Sequence, residues 1–347
     1  MDIAWAKSSP AVQQSRTLGL FAGVRSGALL RSLFAVVVTL AASGYVAAQA
    51  DINAAHVLPR AMPARPGSTQ HVLRANVNLV LVNVTVLDHA GRAVTGLEPA
   101  NFEVLDDKNP QVVRYLSNVD EPISLVVVLD GSASMAPKLQ ELRKAFTELV
   151  NTSNPQDDFG LIIVSDKPRV ALHFDDSASQ IQATVDALQP DGATALWDGM
   201  YLGVKELKSS RYQRKAMVVI SDGGDNHSRY SESELRSLLK EADVEVYAIG
   251  MFDRYATRPE EKKGPLQLDE VTSVTGGQVF STHDPAELSR AVTQISRELR
   301  NQYVLGYYPS NGSRDGKWRR LKVHLAGSAS QASFRLYAKK GYYAPTE

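Results

Sequence analysis

Asp130-Gly131-Ser132-Ala133-Ser134 puts a carboxylate and two hydroxyls into one short run. Oxygen donors so close together can converge on a hard cation, and the small Gly131 and Ala133 permit the tight path this needs. Two further segments carry matching groups. Asp191-Gly192-Ala193-Thr194 precedes a helical stretch, and Ser221-Asp222-Gly223-Gly224 follows the apolar run Ala216–Ile220. The candidate set is Asp130, Ser132, Ser134, Thr194 and Asp222, all oxygen donors without His or Cys. Such donors suit Mg²⁺, Mn²⁺ or Ca²⁺ over zinc or copper. Two carboxylates balance a divalent charge, and the hydroxyls add neutral ligation. Water or a partner would fill the rest of an octahedral shell. The expected cofactor is a divalent cation, Mg²⁺ first, with Mn²⁺ or Ca²⁺ as alternatives.

A lone D-x-S-x-S run is weak, because Ser134 reads equally well as the cap of the helix that follows. Three such segments in order, two of them directly beyond strands, are far more specific. Asp198 lies four residues after Thr194, on the same side of a helix. It is a candidate to orient a metal ligand or its water from behind; the alternative is a solvated acid in a first helical turn. Asp225 is expected on the loop surface and His227 exposed.

These residues need a frame. Ile123–Leu129, Phe159–Val164, Ala216–Ile220, Val244–Ile249 and Gln278–Phe280 read as strands, with Val170–Phe174 as a short edge strand. Helical spacing covers Leu139–Val150, Ile181–Leu188, Leu196–Leu207, Leu266–Thr275 and Pro285–Arg300. Ser231, with Glu234 three residues later, opens another helix as a capping box. Nearly continuous apolar strands alternating with helices predict an α/β fold, a doubly wound and mostly parallel six-stranded sheet covered on both faces. Ligands gather at the carboxyl ends of such strands, near the point where the winding reverses. Asp130 and Asp222 belong there.

The flanks are different. Val77–Leu87, Phe102–Leu105 and Gln111–Ser117 read as short strands, with turns at His89–Arg92 and Asp106–Pro110. Tyr303–Tyr308, Trp318–Leu325 and Ser333–Ala338 follow the α/β segment, with Asn311-Gly312 and Asp315-Gly316 as turns. Neither group buries much alone, so both flanks are expected to combine into one smaller β-sandwich. The aromatic residues Tyr303, Tyr307, Tyr308, Trp318, Tyr337, Tyr342 and Tyr343 are expected to pack it or its contact with the α/β domain, the alternative being a binding face.

The N-terminus has its own pattern. Lys7, Arg16, Arg25 and Arg31 precede the apolar run Leu33–Ala42, which leads to Ala48-Gln49-Ala50. This is a secretory-signal pattern with cleavage after Ala50, and the apolar run is too short for a full membrane span. The expected organisation is a signal peptide over 1–50, a linker over 51–72, a β-unit over 73–120, the α/β domain over 121–302 and a second β-unit over 303–347. The product would be exported, to the periplasm or the cell surface, with no membrane span after cleavage. The absence of cysteine excludes disulfides, thiolate metal sites, a cysteine nucleophile and a lipidated cysteine anchor. Lys and Arg total 38 against 38 Asp and Glu, so no basic excess points to nucleic acid.

The segment 121–302 resembles a von Willebrand factor A domain. Asp130, Ser132 and Ser134, then Thr194, then Asp222 match that family's metal-ion-dependent adhesion site. Gly96-Leu97, Asn101-Phe102-Glu103-Val104, Tyr303-Val304-Leu305-Gly306-Tyr307-Tyr308, Gly316-Lys317-Trp318-Arg319 and Gly341-Tyr342-Tyr343-Ala344-Pro345 resemble the flanks of a bacterial secreted subgroup. The resemblance implies that the hydroxyls bind the metal directly, that the Asp residues act mostly through water, and that a partner's carboxylate completes the shell. The implied function is a metal-dependent protein-binding module, for adhesion or interaction, and not an enzyme. One alternative is a metal-dependent phosphohydrolase with Asp130 as nucleophile. Against it, Ser132 stands where that chemistry wants a second Asp, and no G-x-S-x-G run serves a serine hydrolase. The other alternative is an envelope scaffold with a structural metal.

Overall fold

The computed structural model describes residues 79–346 apart from 175, 177 and 254. The signal and linker expected over 1–50 and 51–72 lie outside these residues, as do positions 77 and 78 of the first expected strand.

Strand β5 (Ser124–Asp130) is buried along its whole length. Its side chains alternate between two cores, as a pleated strand requires. Leu125, Val127 and Leu129 meet α1 (Leu139–Thr152), α2 (Ala178–Asp186) and α6 (Pro285–Arg300) on one face. Val126 and Val128 meet α3 (Leu196–Lys208), α4 (Glu232–Glu241) and α5 (Pro259–Ser273) on the other. Full burial of each such Val or Leu contributes about 1.5–3 kcal/mol, so β5 contributes heavily to the stability of both cores.

Strands β6 (Asp158–Val164), β8 (Lys215–Ser221), β9 (Glu245–Gly250) and β10 (Val279–Ser281) run parallel in the same sheet. Strand β7 (Arg169–Leu172) closes one edge antiparallel to β6. The six-stranded order is β10-β9-β8-β5-β6-β7. From β5 the chain moves outward through β6 to β7, then returns to the other side of β5 as β8. The winding therefore reverses between β5 and β8, and a crevice opens at their carboxyl ends. Asp130 ends β5, and Asp222 follows β8.

The flanks build a β-sandwich from both ends of the described chain. One sheet has the order β13-β1-β11-β4 and the other β14-β12-β2-β3. Their strands are β1 (Val80–Leu87), β2 (Phe102–Asp106), β3 (Asn109–Gln111), β4 (Val113–Ser117), β11 (Tyr303–Tyr307), β12 (Trp318–Leu325), β13 (Arg335–Ala338) and β14 (Gly341–Tyr343). Val82 pairs with Leu305 and Val104 with Val323 across these sheets. All four enter one core with Val84, Phe102, Tyr303 and Tyr307. Tyr308 and Tyr343 are exposed instead, so the expected aromatic packing holds for only part of that group.

Three elements depart from expectation. The segment expected as one strand over Gln111–Ser117 is two strands in different sheets. Asp107 and Lys108 both take positive φ, 46° and 73°, and fold β2 back onto β3 as a two-residue hairpin. Val112 then carries the chain, exposed, to β4 in the other sheet. Helix α5 begins at Pro259, well before Leu266. Its first turn has Pro at the start and Glu260 and Glu261 beside it, a helix-opening pattern, but Gly264 and Pro265 break the apolar periodicity that was read. Strand β14 is too short to show a period of its own.

The sandwich meets the parallel sheet at the amino ends of its strands, opposite the crevice. Gln302 donates to Glu245 at the start of β9, at 2.8 and 2.6 Å, and to Thr85 of β1 at 3.2 Å. Glu298 lies in the same polar cluster, accepting from Gln278 at 2.8 Å and Gln294 at 2.9 Å. Burial first, and then the charge of Glu245, push the Glu298 carboxyl up to about 7. Its proton is held more tightly folded than unfolded, so stability is lost as pH rises through the window from about 4.5 to 7. Glu298 is expected to contribute about 3 kcal/mol of this loss, so wild type should lose about that much more than Glu298→Gln, whose remaining slope comes from other raised carboxyls such as Asp130, by urea unfolding at several pH values. Equal pH slopes in the two proteins would show that this carboxyl is not displaced.

Candidate metal centre

Asp130 is fully buried at the end of β5. Its Oδ1 accepts from the backbone N–H of Ser132 at 3.0 Å, and its Oδ2 accepts from the Ser221 hydroxyl at 2.5 Å. The first bond turns the chain sharply after the strand. The second couples β5 to β8 across the crevice. The hydroxyls of Ser132 and Ser134 stand 3.1 Å apart. Ser134 lies inside a 3-10 turn over Ala133–Lys138, whose N-cap is Ser132.

The three loops are laced together through their backbones. Ala133 N–H donates to Gly192 C=O at 3.1 Å, and Asp191 N–H donates to Gly131 C=O at 2.9 Å. Asn226 and His227 N–H groups both donate to Thr194 C=O, and the Asn226 side chain accepts from Thr194 N–H at 2.9 Å. Asp166, beyond β6, accepts from Ala193 N–H at 2.5 Å. Every carboxylate and amide here satisfies a loop amide that would otherwise be left without a partner.

A cavity of about 190 Å³ sits where these loops meet, lined by Ser132, Ser134, Thr194 and Asp222 together with Gly224, Asn226 and Glu260 among others. Asp130 lies beneath this lining and not on it. Of the five expected residues, four thus share one cavity and the fifth supports it. Asp198 does something else. Its carboxylate accepts from the N–H groups of Arg229 and Tyr230, both at 3.0 Å, and from Arg229 Nε at 3.1 Å. It is buried, and these contacts pin the 228–230 turn, so neither the orienting role nor the solvated one describes it.

Asp225 is a second correction. Expected on the loop surface, it is half-buried and accepts from Leu196 N–H at 2.8 Å, Trp197 N–H at 3.3 Å and Ser228 Oγ at 2.5 Å. It caps α3 from the β8 loop, and burial pushes its carboxyl up despite these donors. A cap contributed from so far along the chain leaves no local signature beside α3. Ser221, Asn226 and Asp166 were missed for the same reason.

The electrostatics concentrate on the carboxylate pair. Burial first, and then the charge of Asp222, push Asp130 up to about 6, although Ser132 and Ser221 both donate to it. The Lys138 ammonium is 3.8 Å from Asp222 Oδ2 and donates to Met251 C=O at 2.6 Å. Like charges forced together, with neutral hydroxyls converging above them, form a donor set that fits a hard divalent cation. Among the described residues, no group of three or more His, Cys, Asp or Glu could hold a metal ion, so an ion here would rest on hydroxyls beside the two carboxylates.

Relief of this repulsion is measurable. In chelator at pH 7.5, Asp130→Asn should unfold at higher urea than wild type, by about 1–3 kcal/mol, because it removes a desolvated charge next to Asp222. Excess Mg²⁺ or Mn²⁺ should stabilise wild type alone and reverse the order. A variant less stable than wild type in chelator would mean that Asp130 is not strained by its neighbour.

Comparison with known proteins agrees with this topology. Residues 124–294 match the von Willebrand factor type A domain. Inter-alpha-trypsin inhibitor heavy chain H4 of Homo sapiens is 21% identical over 229 residues, covering 60% of this chain and 23% of that protein. The alignments span 23%, 42% and 58% of three curated relatives, so this chain matches less than two thirds of each. Among solved structures, a von Willebrand factor type A protein from Catenulispora acidiphila is 13% identical with a TM-score of 0.45, covering 79% of this chain and 76% of that one. Proximal thread matrix protein 1 from the mussel byssus, described with a zinc-occupied MIDAS motif, is 20% identical with a TM-score of 0.44, covering 55% and 48%. Residues 124–294, built around β5 and its crevice, form a von Willebrand factor type A domain.

Proposed function

We propose that this protein is an exported, divalent-cation-dependent protein-binding module. Ser132, Ser134 and Thr194 would hold the ion through their hydroxyls, with Asp222 beside them and Asp130 acting from beneath. The observation that carries this reading is the convergence of four oxygen-bearing residues, from three separate loops, on one cavity above a buried carboxylate. A divalent cation held there supplies an open coordination position for an acidic group. The chain's own residues do the rest. Backbone lacing between the loops keeps the hydroxyls in place, so little ordering entropy opposes binding. The ligand would be a carboxylate on a protein partner. Mg²⁺ is the first expectation; the zinc named for the byssus protein belongs to that protein.

The α/β domain, taken as residues 121–302, would present the site, and the β-sandwich would mount it from the opposite end. The basic and apolar pattern of residues 1–50 supports export, to the periplasm or the cell surface. Among the described residues no helix is long and apolar enough to cross a membrane. A binding role is favoured over phosphohydrolysis because Asp130 is fully buried and engaged by Ser132 and Ser221, which leaves a nucleophilic attack no line of approach.

Titration calorimetry of Mg²⁺ and Mn²⁺ into the full chain should give one site, weakened at least about a hundredfold in Asp130→Ala. Capture from envelope extracts should then recover a partner with wild type in Mg²⁺, and lose it in chelator or in Asp130→Ala. Equal metal binding by both proteins would refute the site. Metal binding with capture that ignores metal would leave a structural ion in a scaffold.

A further inference from the structure

We propose that Glu260 is an internal ligand of the ion held by this site and occupies the position that a partner's carboxylate takes, an inference that rests on the metal-binding reading above. Glu260 is half-buried in the first turn of α5 and lines the same cavity as Ser132, Ser134, Thr194 and Asp222. Glu261 and Arg258 line this cavity too, but they pair with each other at 3.8 Å. Glu260 itself has no hydrogen bond or ion pair among the described residues. A carboxylate that loses hydration without gaining a donor is unfavourable unless a cation is close.

The position is held by the fold and not by a loose loop. Gly223 takes φ +78°, and a methyl group built on Gly264 would lie 2.9 Å from the Gly223 backbone. Helix α5 therefore rests directly on the loop that carries Asp222. A methyl group built on Gly224 would lie 3.5 Å from Asp222 Oδ1, 3.5 Å from Glu261 Cγ and 3.8 Å from Glu260 Cγ, so a single glycine separates Asp222 from both acids of this first turn. Glycines at 223, 224 and 264 are what let Glu260 come this near.

The consequence is self-restraint. Glu260 completes the shell of the ion when no partner is present, and an incoming carboxylate must displace it. Metal is then held more tightly and a partner more weakly than the five loop residues alone would dictate, since a tethered competitor acts at millimolar effective concentration or above. Partners must offer more than one acid: contacts around the rim have to make up the difference.

The test loads the full chain with Mn²⁺ and measures metal affinity, solvent-proton relaxivity and the affinity of the loaded protein for acetate. In Glu260→Gln, Mn²⁺ should bind about three- to tenfold more weakly, relaxivity should rise by the contribution of about one extra bound water, and acetate should bind about fivefold or more tighter. Glu260→Ala should repeat all three changes. Glu261→Gln removes the same charge from the same cavity but from an acid already paired with Arg258, and should leave relaxivity at the wild-type value. Wild-type Mn²⁺ affinity and relaxivity in both Glu260 variants would overturn the internal-ligand proposal while leaving the site intact. Failure of the wild type itself to bind Mn²⁺ would overturn the site and the proposal with it.

Discussion

The structure depends on one forced proximity: two carboxylates, Asp130 and Asp222, held together where the parallel sheet reverses its winding. Burial removes the water that would screen them, and Asp130 is pushed up to about 6 as a result. A fold can tolerate such a pair only by surrounding it with donors and cations. Ser221 and the Ser132 amide donate to Asp130 from two sides, and the Lys138 ammonium approaches Asp222. What these groups leave uncompensated is an affinity for positive charge directed into the cavity above. The chemistry of the site is thus a property of the topology as much as of the side chains.

The surrounding architecture keeps that pair from relaxing. β5 is packed on both faces by helices and flanked by β6 and β8, so Asp130 cannot move toward solvent without disrupting both cores. The loops above are tied to one another by backbone hydrogen bonds between 131 and 191, 133 and 192, and 194 and 226. Asp225 adds a cap on α3, and Asp198 fixes the turn that follows the 222–226 loop. Acidic residues near the site thus have separate tasks. Some hold the frame, and few remain free to meet a ligand. The sandwich, joined at the other end of the sheet through Gln302, Glu245 and Thr85, leaves the crevice clear.

Much of this was legible from local patterns. The run before Asp130 is apolar at every position but one, which only a strand buried on both faces explains. The order of D-x-S-x-S, Thr194 and Asp222 along alternating strands and helices pointed to one rim, where Ser132, Ser134, Thr194 and Asp222 line a cavity and Asp130 does not. The helix start at Ser231 was readable because its capping groups lie within four residues. The first turn of α5 was not, since its helical signals are polar and Gly264 and Pro265 interrupt the apolar spacing. Nor was the division of 109–117 between two sheets, which is made at the exposed Val112, where the chain leaves the β2–β3 hairpin for β4.

By itself, then, the sequence determined the alternation of strands and helices, the all-oxygen donor set, and the β character of both flanks. Each of these is encoded within a window of a few residues, by side-chain periodicity or donor type. The tertiary structure alone decided that Asp130 lies under the cavity and not on it, that Asp225 and Asp198 brace helices and turns, and that Glu260 reaches the rim. Those roles are set by contacts between residues far apart in the chain, where burial and the geometry of close backbone approach, as between Gly223 and Gly264, select the partner.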